Sequence, residues 1–318
     1  MITVKSAADL NSTFHPFGGD VLAFALEERA AARPAVIVTL TAIEGSSPRA
    51  TGAQMAIAED GRFAGSISSG CLERAIIDMA GEILAKGDGG VIRYGKDSPF
   101  RDLVLPCGSG VDLLFTANPG ADALRSAVDA QQQRRPAAFE FTTNAMRKAD
   151  GVATGMRGDT FTRLFTPPLK IIAAGMGAEL TLLSRLARAA GHNVCAVSPE
   201  AATLEQTAAH EVIRLQSVSS LPDFDIDPWT AIVLLFHDRE WDVSLLPSAL
   251  ASPAFYIGAV GSRKTHAARL DSLRMMGVAD DDLPRLKGPI GLIPATRDPS
   301  TLAVSILADI LSAWPHGR

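Results

Sequence analysis

The stretch "TPPLKIIAAGMGAELTLLSRLARAAGHNVCAVSPE", residues 166–200, decides the fold of the second half of the chain. Pro167 and Pro168 can neither extend a helix nor sit in a central ladder, so they mark a boundary. Beyond them the apolar run 169–175 ends in Gly-Met-Gly. Leu180, Leu183, Ala187 and Ala190 then stripe one face of a helix that stops at Gly191, and residues 193–197 form the next buried strand. This strand, glycine turn, helix and strand pattern returns in "TAIVLLFHD" (230–238) and "PAFYIGAVGSRKTHAARLDSLRMMG" (253–277). The last helix, "STLAVSILADILSAW" (300–314), starts with Asp298 as cap and Pro299 in its first turn. Such alternation argues for a doubly wound parallel sheet.

The first half reads differently. Residues 20–32 suggest a helix capped by Asp20, and 35–45 a β-branched strand. Residues 53–68 read as two strands joined at Asp60-Gly61, a dipeptide suited to a tight hairpin. After Cys71, the residues Leu72, Ala75, Ile76, Met79 and Ile83 share a helical face that ends at Gly87. Strands follow at 90–95 and 111–117, then a helix near 121–133 and a pair of short strands around Gly151 and Phe161. The expected architecture is therefore α/β: a mixed α+β domain over residues 1–166, followed by a Rossmann-like, doubly wound parallel-sheet domain over 167–318.

A chain of 318 residues, 47% hydrophobic, has room for two such domains. Its net charge of −5 offers no general attraction to nucleic acid. The opening residues lack a signal-peptide pattern, and no apolar run approaches the ~20 residues that span a bilayer. These features predict a cytoplasmic protein without membrane partners. Cys71, Cys107 and Cys195 are odd in number and have no Cys-x-x-Cys spacing, so any chemistry they perform is that of thiols rather than of a disulfide framework or a four-thiolate zinc site.

Several strand-to-helix turns are suited to chemistry. Gly175 and Gly177 open a helix whose N-terminus favours an anion, but Leu180 stands where a dinucleotide fingerprint has Gly or Ala, and Ser198 where it has an acid, with Glu200 two residues on. A tight turn with no dinucleotide explains the same residues. Gly258 and Gly261, followed by Ser262, Arg263, Lys264 and Thr265, suit a phosphate or another acidic group at a helix start. His237 and Asp238 end a strand and fit a base oriented by a carboxylate, a ligand hydrogen bond or an ordinary surface loop. With Ser69 or Gly70 as cap, Cys71 falls in the first helical turn, where amides and the macrodipole favour negative charge. Cys107 lies beside Gly108-Ser109-Gly110, whose amides could form an anion nest, whereas Cys195 is centred in an apolar strand. Ser47 and Arg49 share a loop between two strands, where the planar guanidinium matches an oxyanion. Together these residues imply an acidic ligand that also engages sulfur.

The segments "GSSPRATGAQMAIAEDGRFAGSISSGCLE", "LPCGSG", "PPLKIIAAGMG", "LLFHDREWD", "YIGAVGSRKTHAARL" and "GPIGL" resemble, in order, the XdhC/CoxI family of accessory proteins of xanthine dehydrogenase and related molybdenum hydroxylases. The resemblance implies a chaperone that binds molybdenum cofactor (molybdopterin), supports its sulfuration with a cysteine desulfurase and delivers it to an apo-hydroxylase. It matches Cys71 and Cys107 to the family's motif cysteines, which makes them candidate contacts to the molybdenum-dithiolene end. Arg49, Gly175, Gly177, His237, Asp238, Gly258, Gly261, Ser262 and Arg263 match its polar and glycine positions. Ser69 replaces a usual glycine, and Ile293, Pro294 and Ala295 stand where relatives usually read Asp-Ile-Gly. A homodimer is left open. The competing reading is an NAD(P)-dependent oxidoreductase built on the second domain. The paired motif cysteines and the serine at Ser198 favour the chaperone.

Overall fold

A computed structural model describes residues 18–68, 70–100, 108–151, 153–217, 224–237 and 239–314. The chain divides into two compact units between Thr166 and Pro167.

In the first unit α1 (Gly18–Ala30) leads into β1 (Ala35–Glu44), β2 (Gln54–Ala58), β3 (Phe63–Gly65), α2 (Glu73–Lys86), β4 (Gly90–Gly95), β5 (Gly110–Ala117) and α3 (Ala121–Gln132). The five strands form an antiparallel sheet in the order β3-β2-β1-β5-β4. Side chains alternate across it. Ile37, Ala56 and Leu114 face α1 and α3, while Val38, Met55 and Phe115 face α2, as a period of two requires. A second antiparallel sheet, β7-β6-β9-β8, comprises β6 (Ala137–Phe141), β7 (Met146–Ala149), β8 (Gly155–Arg157) and β9 (Thr160–Phe165), and adds Phe139, Phe141, Phe161 and Phe165 to the same core as α1. Where the sequence suggested two short strands, there are four. Helix α1 begins at Gly18, so Asp20 lies within it and is not its cap.

The second unit runs β10 (Lys170–Gly175), α4 (Gly177–Ala189), β11 (Asn193–Ser198), α5 (Ala201–Gln206), β12 (Glu211–Arg214), β13 (Thr230–Leu235), α6 (Arg239–Ala251), β14 (Tyr256–Ala259), α7 (Arg263–Met275), β15 (Leu286–Lys287) and α8 (Pro299–Ala313). All six strands are parallel, in the order β12-β11-β10-β13-β14-β15. Numbered from β10, this order is 3-2-1-4-5-6, that of the Rossmann fold. One face of the sheet packs on α4 and α8 through Leu180, Leu183, Ile306 and Ile310. The other packs on α6 and α7 through Leu246, Leu250 and Leu273. Asp298 caps α8 as expected, accepting the Thr301 N–H at 2.9 Å. No helix among the described residues is long and apolar enough to cross a membrane.

Candidate functional site

In a parallel sheet of this order ligands bind beyond the carboxyl ends of the strands, where the order reverses. That point lies between β10 and β13 and is flanked by Gly175, Gly177 and His237. It is filled from within. Gly177 adopts φ +69°, and its N–H donates to Thr203 Oγ1 at 3.0 Å, which in turn donates to Glu200 Oε2 at 2.7 Å. Glu179 adds a carboxylate in the first turn of α4, and its Oε1 lies 3.5 Å from His237 Nε2. Gly175 serves packing, since a Cβ there would stand 2.7 Å from Leu235 Cβ. Leu180 is fully buried in the core. A pyrophosphate would have to displace the Thr203 hydroxyl and face two carboxylates. NAD(H) and NADP(H) are therefore expected to bind with dissociation constants no tighter than about 1 mM. A fluorescence titration that saturated at micromolar dinucleotide would contradict this.

An open cleft lies one strand further along. It has a volume of about 700 Å³ and is bounded by His237, Val260, Gly261, Ser262 and Arg263 on one side and by residues 289–291 and 293–296 on the other. Ser262 caps α7: its Oγ accepts the Thr265 N–H at 3.1 Å and lies 2.9 Å from Thr265 Oγ1. The positive end of a 13-residue helix thus opens beside the exposed Arg263. His237 is 79% exposed at its side chain and belongs to this cleft as well as to the Glu179 pair. Sequence reasoning offered Asp238 as an orienting acid for it, beside a ligand hydrogen bond and an ordinary surface loop. Asp238 lies outside the described residues; among those described, Glu179 brings a carboxylate beside the imidazole.

The far wall of the cleft is held by α8. Asp309 accepts from Tyr256 Oη at 2.7 Å and from the Gly291 N–H at 3.1 Å, and lies 3.4 Å from Lys287 Nζ. Ser305 Oγ accepts the Ile293 N–H at 2.8 Å, and the Ser305 carbonyl accepts the Leu292 N–H at 3.3 Å. Gly258 is also structural, because Ile290 and Tyr256 occupy the space a side chain would need.

In the first unit the β1–β2 loop (45–53), the β3–α2 loop (66–72) and the β4–β5 connection all leave from one end of the antiparallel sheet, as the pairings Glu44↔Gly110, Met55↔Gly65 and Gly95↔Gly110 require. Topology thus brings the loops of Ser47, Arg49 and Cys71 to that end, together with the connection that carries Cys107, itself outside the described residues. Ser47 Oγ accepts the Arg49 N–H at 3.2 Å. The first-turn placement of Cys71 needs correction. Helix α2 starts at Glu73 with Leu72 as N-cap, so the exposed Cys71 precedes the cap.

The reason lies in Glu73, which sequence reasoning passed over. Its carboxylate accepts from Ser66 Oγ (2.9 Å), the Ile67 N–H (3.1 Å), the Ser68 N–H (2.8 Å), Ser68 Oγ (2.6 Å) and the Gly70 N–H (2.7 Å). The loop is wound around an internal anion. Burial pushes the Glu73 carboxyl up, but the bonds from Ser68 and Ser66 outweigh it and hold it at about 2. The spacing Gly70-x-x-Glu73, like that of a capping box, was the available signal.

Comparison with known proteins bears on both units. A family model described as the XdhC Rossmann domain matches residues 171–310, and one described as the XdhC and CoxI family matches residues 28–95. The chain is 32% identical over 299 residues, 93% of its length and 88% of the relative's, to the molybdenum cofactor insertion chaperone PaoD of Escherichia coli (strain K12). The chain belongs to the XdhC and CoxI family. It is also 23% identical to the uncharacterized protein YqeB of the same organism over 87% of this chain, which spans 43% of that protein. A crystal structure described as a xanthine dehydrogenase from Bacillus halodurans superposes with a TM-score of 0.73 at 21% identity, covering 92% of this chain and 95% of that one, and so shares the fold.

The structure places Ile293, Pro294 and Ala295 on the cleft wall. Ala295 keeps φ +56°, a conformation that a glycine adopts without strain. Among the described residues no group of three or more His, Cys, Asp or Glu side chains could hold a metal ion.

Proposed function

We propose that this chain binds molybdenum cofactor as cargo, without turnover of its own, and passes it to an apo-molybdenum hydroxylase of the xanthine dehydrogenase type after sulfuration with a cysteine desulfurase. The observation that carries the reading is the cleft at the start of α7, in a chain related over 93% of its length to a cofactor insertion chaperone. Its chemistry suits the cargo. Ser262, Arg263 and the helix end can receive a phosphate, and Ile290, Ile293 and Pro294 supply apolar surface for a ring system.

Cys71, with Cys107, is the proposed contact for the dithiolene end. Cys71 is exposed, whereas Cys195 is buried, and burial pushes the Cys195 thiol up to about 12. That thiol is core.

The test is to purify the protein from a molybdate-supplemented host and identify what accompanies it by mass spectrometry and absorbance. Wild type is expected to retain a molybdopterin species. Arg263→Ala should weaken retention about tenfold, the loss of one charge-assisted contact, and Cys71→Ser should lose activation of an apo-hydroxylase. A wild-type protein that carries no pterin, or variants that behave as wild type, would sink this reading.

A further inference from the structure

Large aliphatic side chains on a protein surface ordinarily stand apart from one another. Among the described residues eight large hydrophobic side chains are exposed, and three of them, Leu292, Ile293 and Val304, meet at the edge of the cleft. Hydrogen bonds to one residue of α8 hold them together. The Ser305 carbonyl accepts the Leu292 N–H at 3.3 Å, Ser305 Oγ accepts the Ile293 N–H at 2.8 Å, and Val304 is the preceding residue of the helix. Ile293 lines the cleft, whereas Leu292 and Val304 are outside its lining. The apolar surface therefore starts at the mouth and continues over its edge onto α8.

The pattern of α8 does not account for Val304. Ala303, Ile306, Leu307 and Ile310 are buried against the sheet, and Val304 falls one turn after the exposed Ser300, on the side where an amphipathic helix carries polar residues. A β-branched residue brings no gain in helix propensity there either. Cations flank this surface. Lys264 follows Arg263 in the first turn of α7, and Arg297 lies between Thr296 of the cleft wall and Asp298, and both are exposed. The carboxylates nearby are engaged within the fold: Asp298 caps α8, Asp309 holds Tyr256, Gly291 and Lys287, and Glu179 lies beside His237. In a chain of net charge −5 this edge is locally cationic.

We propose that Leu292, Ile293 and Val304, flanked by Lys264 and Arg297, form the docking surface for the protein that receives the cargo, and that the receiving surface is apolar at its centre with carboxylates at its border. The proposal rests on the cargo reading, since it takes the apo-hydroxylase as that protein. A ligand that leaves this cleft passes its mouth, so a recipient seated on the edge takes it without a passage through bulk water. Burial of the aliphatic centre supplies affinity, and the two cations steer the approach of an acidic border.

The test titrates the full chain with the apo-form of the xanthine dehydrogenase-type hydroxylase of the same cells, prepared without molybdate. The double variant Leu292→Ser, Val304→Ser should bind it at least about tenfold more weakly, the loss of two aliphatic contacts. Its thermal midpoint and pterin retention should match wild type, because neither side chain is buried or lines the cleft. Val212→Ser, an equally exposed position on β12, should bind as wild type. Lys264→Glu with Arg297→Glu should slow association at low salt. Unchanged affinity in the double serine variant overturns the proposal. So does light scattering that shows wild type pairing with itself through these residues, which would make the edge an interface between copies. A wild type with no affinity for the apo-hydroxylase overturns it as well, and pterin retention in that same preparation shows whether the cargo reading falls with it. Absence of pterin alongside a binding loss in the double serine variant would count against the cargo reading alone.

Discussion

Glu73→Ala is expected to destabilise the first unit by about 3–5 kcal/mol, the range for removing one partner from a buried charged network. Among the described residues five donors converge on that carboxylate, and the alanine variant leaves them facing a void. The loop should open and take Cys71 with it, so Cys71 should alkylate faster than in wild type. Glu73→Gln keeps the volume and one acceptor and should cost less. The pH dependence has a definite sign. The folded carboxyl sits at about 2 against an ordinary 4.5, so its contribution is present in full above pH 4.5 and is lost as pH falls from 4.5 to about 2. Its size is about 3 kcal/mol. Urea melts at pH 7, 4 and 3 should show this slope in wild type and a flatter one in Glu73→Gln. Equal midpoints for all three proteins at pH 7 would mean that the network is inert.

The second large effect is expected at Gly258. A Cβ there would stand 2.4 Å from Ile290 Cγ2, 2.9 Å from Tyr256 Cε1 and 3.2 Å from Tyr256 Oη. Neither neighbour can withdraw, because Ile290 and Tyr256 are both buried and Tyr256 is bonded to Asp309. Gly258→Ala should therefore push Ile290 and the cleft wall away from β14, at a cost of about 2–3 kcal/mol for overpacking, and, if the cleft holds the cargo as proposed, release it. Thermal melts and pterin retention measured on one preparation check both halves. A stable variant that still holds its ligand would show that this glycine has some other purpose.

The second unit was legible because its signals are local: apolar runs bounded by Gly175 and Gly191, a stripe from Leu180 to Ala187, and Asp298 before Pro299. The small sheet of the first unit was harder. Its strands are three to six residues long, and Arg163 breaks the apolar alternation between Phe161 and Phe165. The start of α2 was misplaced because capping rules weigh the residue before a helix, whereas here Glu73 inside it claims the amides of residues 67, 68 and 70. The cleft itself could not be read, although His237, Ser262 and Arg263 were each singled out. Their common opposite wall comes from residues 289–296, fixed by Asp309 and Ser305 on α8, and no short-range pattern announces contacts 12 to 53 residues apart. The Glu179–His237 pair and the Thr203 hydroxyl on Gly177 are long-range for the same reason.

That wall has one more implication. Helix α8 grips it through the main-chain N–H groups of Gly291, Leu292 and Ile293, so its position is indifferent to most of the side chains it displays. Leu292 and Ile293 project into solvent at 56% and 45% exposure, and the backbone at Ala295 holds a glycine-like shape without a glycine. Mounting and display are thereby separated, much as in an antibody loop on its sandwich. Substitutions at residues 292–296 should draw little on its margin of stability, so that, on the function proposed above, this rim is where one scaffold could diversify toward different clients.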